Sequence, residues 1–204
     1  MSALPIHVVA TGTANIASVL AGLRRAGGDP CLTDEPRDIE NARAVVLPGV
    51  GTMRAAMTGL RERGLDGLLA RRIREGRATL AVCLGLQLLC EESDESPGAR
   101  GLGILSARID RLPDDVRVPH MGWNLVTPAS GGLVERGYAY FANSYRLETA
   151  PAGWHASFVE YGGTWVAALE RGAVLACQFH PELSGAWGSA LLERWIAQAG
   201  GVPC

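Results

Sequence analysis

The sequence contains no lysine, and all 19 of its basic residues are arginines. Covalent catalysis through a Schiff base requires a lysine amine, and the phosphate-binding P-loop requires one as well. Both kinds of site are therefore excluded, although the chain contains 26 glycines.

Long apolar runs, excess positive charge and paired cysteines are also lacking. No run approaches the roughly 18 apolar residues of a membrane-spanning helix, and residues 1–12 lack the basic and apolar regions of a secretory signal. A formal net charge of −2 does not supply the basic surface that nucleic-acid binding needs. The five cysteines are scattered and form no CxxC pair, a pattern typical of reduced thiols. We therefore predict a cytoplasmic protein that binds neither nucleic acid nor membrane, and we expect no metal and no cofactor.

The order of apolar segments predicts the fold class. In the first half, apolar strand segments (6–10, 43–51 and 78–83) alternate with helical ones, the first of which Asn15 is placed to cap. After residue 101 the strand candidates follow one another closely, and a helix over 188–200 ends the series. This pattern favours an α/β fold with an open, mostly parallel sheet flanked by helices and an added antiparallel portion in the C-terminal half. The length predicts a single domain over residues 1–204.

Four arginines lie close together in the helical region before the third strand. We interpret this cluster as a solvated helix face, because charged runs usually are. Its members are Arg71, Arg72, Arg74 and Arg77.

Cys83 follows an apolar strand and precedes Gly85 at the start of a predicted helix. A nucleophile at such a turn projects clear of the sheet, and a small residue two positions later relieves crowding. The helix N-terminus would favour the thiolate. The competing interpretation is a structural cysteine, since free cysteines are commonly buried.

The run QFHPE carries a second candidate pair, His180 and Glu182. The alternation of an extended segment predicts both side chains on one side. A carboxylate beside a histidine fixes its tautomer, as in a catalytic triad. A capped strand end with a satisfied histidine is the alternative. Metal binding by Cys177 and His180 is disfavoured because their odd spacing turns them to opposite faces, and we predict Cys177 in the core.

The run LPGVG at 47–51 follows a buried strand. It predicts either a simple turn or a loop whose N–H groups complete an oxyanion hole, with Gly51 allowing close substrate approach. A strand-end cysteine, a His-x-Glu pair and such a loop together indicate acyl transfer.

The runs LPGVG, AVCLGLQLL and QFHPE, in this order and spacing, resemble class I glutamine amidotransferases. VPHMGWN at 118–124, YFANSYR at 140–146 and TGTANIASV at 11–19 are similar to the glutaminase subunits of imidazole glycerol phosphate synthase, an enzyme of histidine biosynthesis. The resemblance extends over essentially the whole chain.

This resemblance implies that Cys83, His180 and Glu182 form a triad that releases ammonia from the side-chain amide of L-glutamine. It further implies oxyanion N–H groups at Val50 and Leu84. The implied glutamine-binding positions are Gly49, Gly51, Gln87, Glu95, Ser144 and Tyr145.

The resemblance also implies a partner, a (βα)8-barrel cyclase subunit in a heterodimer. The cyclase would receive the ammonia and make imidazole glycerol phosphate and AICAR from PRFAR. The implied interface residues are His120, Met121, Trp123 and Asn124.

The sequence departs from the family pattern at three positions: Ala81 stands in place of a usual glycine, Asn143 in place of a common histidine, and Leu183 in place of a common basic residue. Three alternatives stay open: a glutaminase subunit of another synthase, a cysteine hydrolase of the same architecture, and a catalytically silent scaffold of the cyclase.

Overall fold

A computed structural model describes residues 3–11, 15–129 and 131–201. The strands are β1 (Leu4–Val9), β2 (Gly28–Thr33), β3 (Ala44–Gly49), β4 (Thr79–Cys83), β5 (Cys90–Ser93), β6 (Leu105–Arg111), β7 (His120–Pro128), β8 (Gly137–Asn143), β9 (Tyr145–Arg146), β10 (His155–Glu160), β11 (Thr164–Arg171) and β12 (Val174–Cys177). The helices are α1 (Ile16–Arg25), α2 (Pro36–Asn41), α3 (Met53–Glu62), α4 (Asp66–Arg74), α5 (Leu84–Gln87) and α6 (Gly185–Gly201), with a 3-10 helix at Pro181–Leu183. Within these residues, no helix is long and apolar enough to cross a membrane.

Nine strands form one mixed sheet in the order β2-β1-β3-β4-β12-β11-β10-β7-β8. Neighbours from β2 to β12 pair in parallel, whereas β12 to β8 pair antiparallel. A smaller sheet joins β5, β6 and β9. The predicted α/β fold with a parallel part and a C-terminal antiparallel part is confirmed.

Strand β3 shows how the sheet is buried on both sides. Ala44 and Val46 belong to the apolar cluster that includes residues of α1 and α6, and Val45 and Leu47 belong to the cluster under α2, α3 and α4. Because successive side chains point to opposite faces, a strand covered on both sides reads as an uninterrupted apolar run. The parallel strands are thereby fixed in position, and their carboxyl ends form a rigid edge.

Helix α1 begins as the sequence predicts, since Asn15 Oδ1 accepts a hydrogen bond from the Ser18 N–H at 3.4 Å. Four elements were not predicted: β2, α2, β5 and the 3-10 helix at Pro181–Leu183. In β2, the adjacent Asp29 and Pro30 interrupt the apolar strand pattern, and an edge strand tolerates both residues.

The helix predicted after Cys83 is only one turn long. The carbonyl groups of Leu88 and Leu89 accept hydrogen bonds from the N–H groups of Leu102 and Leu105 instead of continuing the helix. Tertiary pairing thus overrides local helix propensity.

The interpretation of the arginine cluster as a solvated face was wrong for Arg72. This side chain is only 1% exposed, and its guanidinium donates to Thr79 Oγ1 and to four main-chain carbonyls, those of Ile39, Ala42, Arg43 and Ala78. Burial, assisted by the charge of Arg77, lowers the pKa of Arg72 to about 10. The planar guanidinium group provides hydrogen bonds to carbonyl groups where α2 ends and β3 begins. Arg72 is therefore part of the core.

Candidate active site

Cys83 ends β4 with φ 56° and ψ −109°, and among the described residues it is the one non-glycine with positive φ. Such a conformation costs on the order of 1–3 kcal/mol and persists only where the surroundings impose it. A Cβ atom on Gly85 would overlap the carbonyl oxygen of Leu47. The sharp turn predicted from the sequence is confirmed, and it requires glycine at position 85.

His180 and Glu182 are in contact, with 2.8 Å between Nδ1 and Oε1. The predicted proximity is confirmed, but its stated reason was wrong. Strand β12 ends at Cys177, and Glu182 lies in the 3-10 helix. A turn, not strand alternation, brings the carboxylate back to the ring.

The main chain of β8 holds this turn. The His180 N–H donates to the Tyr140 carbonyl at 2.9 Å, and the Ser184 hydroxyl accepts from the Tyr140 N–H at 2.9 Å. The same hydroxyl donates to the His180 carbonyl at 2.6 Å. Residues 180–184 are therefore anchored to the edge strand of the large sheet.

The charge state of His180 is set by its two neighbours. Burial acts to lower the pKa of His180, but hydrogen bonds with Cys83 and Glu182, together with their charges, raise it to about 10. The imidazole is therefore protonated near neutral pH, which places a cation beside Cys83. By contrast, burial raises the pKa of Cys90 to about 12 and that of Cys177 well above its usual value. Those two thiols are unreactive core groups, as predicted for Cys177.

Helix α1 supports Glu182 from behind. The position of a Cβ atom on Gly22 would be 2.8 Å from Glu182 Cβ, and the Arg25 guanidinium donates to the Glu182 carbonyl at 3.3 Å. This close packing leaves the carboxylate little freedom to move away from His180.

A cavity of about 220 Å³ opens beside Cys83. It is lined by both predicted oxyanion residues, Val50 and Leu84, and by most of the predicted glutamine-binding residues: Gly51, Gln87, Glu95, Ser144 and Tyr145. Gly49 is not among the lining residues. It pairs with Cys83 in the sheet, and a Cβ atom there would be 2.9 Å from Leu84 Cβ, so glycine is required for packing.

Two polar atoms at this cavity lack partners among the described residues. Burial raises the pKa of Glu95, a hydrogen bond from the Met53 main chain opposes that shift, and the buried Oε2 atom has no partner. Asn143 donates through Nδ2 to the Tyr145 carbonyl at 3.0 Å, while its Oδ1 atom is unpaired. An unpaired buried carboxylate oxygen is suited to a positively charged ligand group.

Gln178 was not predicted from the sequence. This side chain is 0% exposed, and its Nε2 atom is 3.5 Å from Cys83 Sγ. The signal that could have found it is its position in QFHPE, two residues before His180.

An apolar surface adjoins the cavity on the outer face of β7 and β8. Met121, Trp123 and Tyr138 are each more than half exposed, and Leu183 is exposed near Gly185, where an added Cβ atom would be 3.6 Å from the Trp123 ring. We call these four exposed residues (Met121, Trp123, Tyr138 and Leu183) the ribbon face. Ala142, which lines the cavity, pairs with Met121 across the two strands, so the ribbon face is continuous with the cavity rim.

Two predicted interface residues are not on the ribbon face. His120 is only 4% exposed and stacks on Tyr161 with 3.9 Å between ring centroids, because its side of β7 faces the core. Burial lowers its pKa, so the ring is neutral near pH 7. Asn124 lies on the same side as His120 and donates to the Glu160 carbonyl at 3.0 Å.

In the part of the chain that the structure describes, no group of three or more acidic, histidine or cysteine side chains could hold a metal.

Comparison with known proteins identifies the family of the chain. The family model described as glutamine amidotransferase class-I matches residues 29–199. Imidazole glycerol phosphate synthase subunit HisH of Symbiobacterium thermophilum is 39% identical over 195 residues, which cover 93% of this chain and 92% of the relative. The protein of the same name from Bacillus velezensis is 38% identical over 204 residues, covering 95% of this chain and 96% of the relative. The chain belongs to the HisH family of class I glutamine amidotransferases.

Solved structures agree at the level of the fold. A crystal structure of a glutamine amidotransferase has a TM-score of 0.77 at 22% identity, covering 96% of this chain and 98% of that one. The structure of PurLQS from Thermotoga maritima has a TM-score of 0.73 at 15% identity, covering 96% and 98%.

The structure shows the surroundings of two residues that depart from the family pattern, Ala81 and Leu183. Ala81 is fully buried in β4, where its methyl group is accommodated. Leu183 adds an apolar side chain to the ribbon face. Residues 12–14 of the run TGTANIASV, and Cys204, lie outside the described residues.

Proposed function

We propose that the chain hydrolyses glutamine to glutamate and ammonia as the glutaminase subunit of imidazole glycerol phosphate synthase in histidine biosynthesis. The observation that carries the proposal is the interaction of His180 with both Cys83 and Glu182 at the wall of a cavity. HisH relatives at 38–39% identity over nearly the whole chain support the choice of synthase.

In the proposed reaction, the Cys83 thiolate attacks the side-chain amide carbon of glutamine. His180 donates its proton to the departing nitrogen, so that ammonia leaves and a glutamyl thioester remains. His180 then accepts a proton from water, which attacks the thioester and releases glutamate. Glu182 keeps the ring oriented and stabilises its charge through both steps.

The negative oxygen that forms in each step needs N–H donors, and we assign this role to the main chain of Leu84 and Val50. Leu84 follows the nucleophile directly, and Val50 is an exposed residue beside Gly51, which has φ 90°. Loss of one such donor costs about 10²–10³ in rate. A change in the orientation of the Val50 peptide is therefore sufficient to switch hydrolysis on or off.

Glutamine carries an α-ammonium group that must be held in the cavity. We assign this group to Glu95, whose Oε2 atom lacks a partner, and the remaining contacts to Gly51, Gln87, Ser144 and Tyr145. Ionic hydrogen bonds of this type are stronger than neutral ones.

We further propose that the ribbon face docks a (βα)8-barrel cyclase subunit, which uses the ammonia to convert PRFAR into imidazole glycerol phosphate and AICAR. Exposed aromatic side chains at the rim of the cavity support this assignment, because tryptophan and tyrosine are common interface anchors. Free ammonia would be protonated in neutral water and lose its nucleophilicity, so direct transfer between subunits is required. We expect one domain over residues 1–204, and a cytoplasmic location, from the sequence.

The test is glutamine-dependent cyclisation by the chain together with its cyclase. Cys83→Ala should abolish this activity while activity with added ammonium salt remains, since the thiol acts only in ammonia release. Cys31→Ala, on the exposed edge strand β2, is the matched control and should retain both activities. Substantial glutamine hydrolysis by Cys83→Ala would contradict the triad.

The same assay separates the alternatives. Glutamine-dependent activity with the cyclase of histidine biosynthesis, and not with other synthases, would distinguish this chain from a glutaminase subunit of another synthase. Trapping the glutamyl thioester would exclude a silent scaffold. We expect the isolated chain to hydrolyse glutamine slowly and to be activated by the cyclase with its nucleotide ligand.

A further inference from the structure

Behind Cys83, two buried amide side chains form a chain of hydrogen bonds. Gln87 Nε2 donates to Gln178 Oε1 at 2.9 Å, and Gln178 Nε2 donates to Cys83 Sγ at 3.5 Å. Gln87 Nε2 is also 3.5 Å from the Tyr145 carbonyl oxygen. The network therefore runs from the wall of the cavity to the sulfur.

The chemistry of the last partner fixes the direction of this network. A main-chain carbonyl can only accept, so the Tyr145 carbonyl requires the amide nitrogen of Gln87 on its side. That nitrogen then donates to Gln178, which must present its oxygen to Gln87 and its own N–H to Cys83. Reversing the Gln178 amide would set two N–H groups against each other and leave its oxygen facing the sulfur.

We infer that Gln178 is a further catalytic residue, which holds the Cys83 sulfur through a fixed N–H donor and favours the thiolate. This role rests on the proposed function of Cys83 as the nucleophile. The donor approaches from the buried side, since Gln178 is fully enclosed and does not line the cavity. It therefore fixes the sulfur without occupying the space that the substrate needs.

Two properties of the Gln178 amide, its hydrogen bond to a charged acceptor and its fixed orientation, favour a role in catalysis over a role in packing alone. An N–H bond to a thiolate is stronger than one to a thiol, because the acceptor is charged. An apolar side chain at position 178 would leave the oriented amide of Gln87 without its acceptor. The titratable groups around the sulfur are His180, which contacts it, Glu182, which contacts His180, and Glu95 and Tyr145, which line the cavity. The Gln178 amide is neutral.

The test is the pH dependence of Cys83 alkylation by iodoacetamide in the full chain, followed peptide by peptide with mass spectrometry. Gln178→Met keeps the length of the side chain and removes the donor. The midpoint of the Cys83 profile should rise by about one pH unit, which makes alkylation below the midpoint about tenfold slower. Cys31, exposed in the same chain, is the internal reference and should keep its wild-type profile.

Gln198→Met is the matched control. Gln198 is an exposed glutamine on α6, and its side chain donates a hydrogen bond to the Gly172 carbonyl. It should leave the Cys83 profile unchanged. Gln87→Met keeps Gln178 but removes the group that orients it, and a smaller upward shift is expected. An unchanged Cys83 profile in folded Gln178→Met would overturn the inference, and if that variant does not fold, an unchanged profile in Gln87→Met would overturn it.

Alkylation requires neither glutamine nor a partner. A wild-type chain that failed to hydrolyse glutamine even with its cyclase and the nucleotide ligand would therefore contradict the proposed function but not the contact between Gln178 and the sulfur.

Discussion

Gly85 lies so close beneath Leu47 that a Cβ atom on it would overlap the Leu47 carbonyl oxygen. Leu47 is in β3, an inner strand of the sheet that is buried on both faces and paired with β1 and β4. The turn that presents Cys83 is therefore built on contact between two main chains.

We predict that Gly85→Ala lowers the free energy of unfolding by at least about 1–3 kcal/mol, since overpacking in a rigid core costs that much. Gly67→Ala is the control, because Gly67 is exposed in α4 with nothing near its Cβ position. It should raise stability by up to about 1 kcal/mol through helix propensity. Urea unfolding measures both, and wild-type stability of Gly85→Ala would contradict the close approach.

Glu182→Gln should reduce kcat by about 10²–10⁴-fold, less than Cys83→Ala does, because it removes orientation and charge but not the proton carrier. The double variant should add little to the loss from Cys83→Ala alone.

The same change should move the alkaline limb of the kcat profile to lower pH. The carboxylate of Glu182 helps to raise the pKa of His180 to about 10, against the effect of burial. Without that charge the imidazolium loses its proton at lower pH, so the acid that protonates the leaving nitrogen is lost earlier as pH rises. If the alkaline limb of the Glu182→Gln profile lay at the same pH as that of the wild type, a group other than Glu182 would be keeping His180 protonated.

Glu95→Gln should raise KM for glutamine by about 10–100-fold with little change in kcat, as expected when a charged contact is common to the ground and transition states. Burial raises the pKa of Glu95, so in the wild type the carboxylate is lost as pH falls and KM should increase on the acid side. KM of the variant should not show this increase. Glu92→Gln, outside the cavity, is the control, and equal KM values in both variants would remove Glu95 from glutamine binding.

Trp123→Ala should weaken binding of the cyclase by at least about thirtyfold, the effect of losing an aromatic anchor. Leu32→Ala is the matched control, because Leu32 is an exposed apolar residue on β2 at the opposite edge of the sheet. Titration calorimetry with the cyclase measures both. If Trp123→Ala bound the cyclase with unchanged affinity, the cyclase would bind a surface other than the ribbon face.

The parallel part of the fold could be predicted from the sequence because its strands, buried on both faces, appear as uninterrupted apolar runs between amphipathic helices. Strand β2 could not, because an edge strand accepts proline and polar residues. The short α5 could not either, because residues 101–105 compete for the carbonyl groups of Leu88 and Leu89.

At the site, the motifs predicted Cys83 and the contact of His180 with Glu182, since Cys83 ends a strand before a glycine and His180 and Glu182 form a chemically distinctive pair in the sequence. Gln178 and Arg72 were missed for a shared physical reason. Both are polar side chains whose roles depend on the atoms that surround them after folding, and the only signal in the sequence was the position of Gln178 two residues before His180. The enclosure of His120 by aromatic rings likewise depends on residues that are distant along the chain.

The hydrogen bonds between Tyr140 and residues 180–184 have a mechanical consequence. The sulfur belongs to β4, which is clamped between two parallel neighbours, while the main chain of His180 is tied to β8, at the outer edge of the sheet. We therefore expect a displacement of the ribbon face to reach the imidazole through these hydrogen bonds more readily than it reaches the sulfur. The distance between the imidazole and the sulfur would then depend on what binds the ribbon face, without contact between the binding partner and either reacting group.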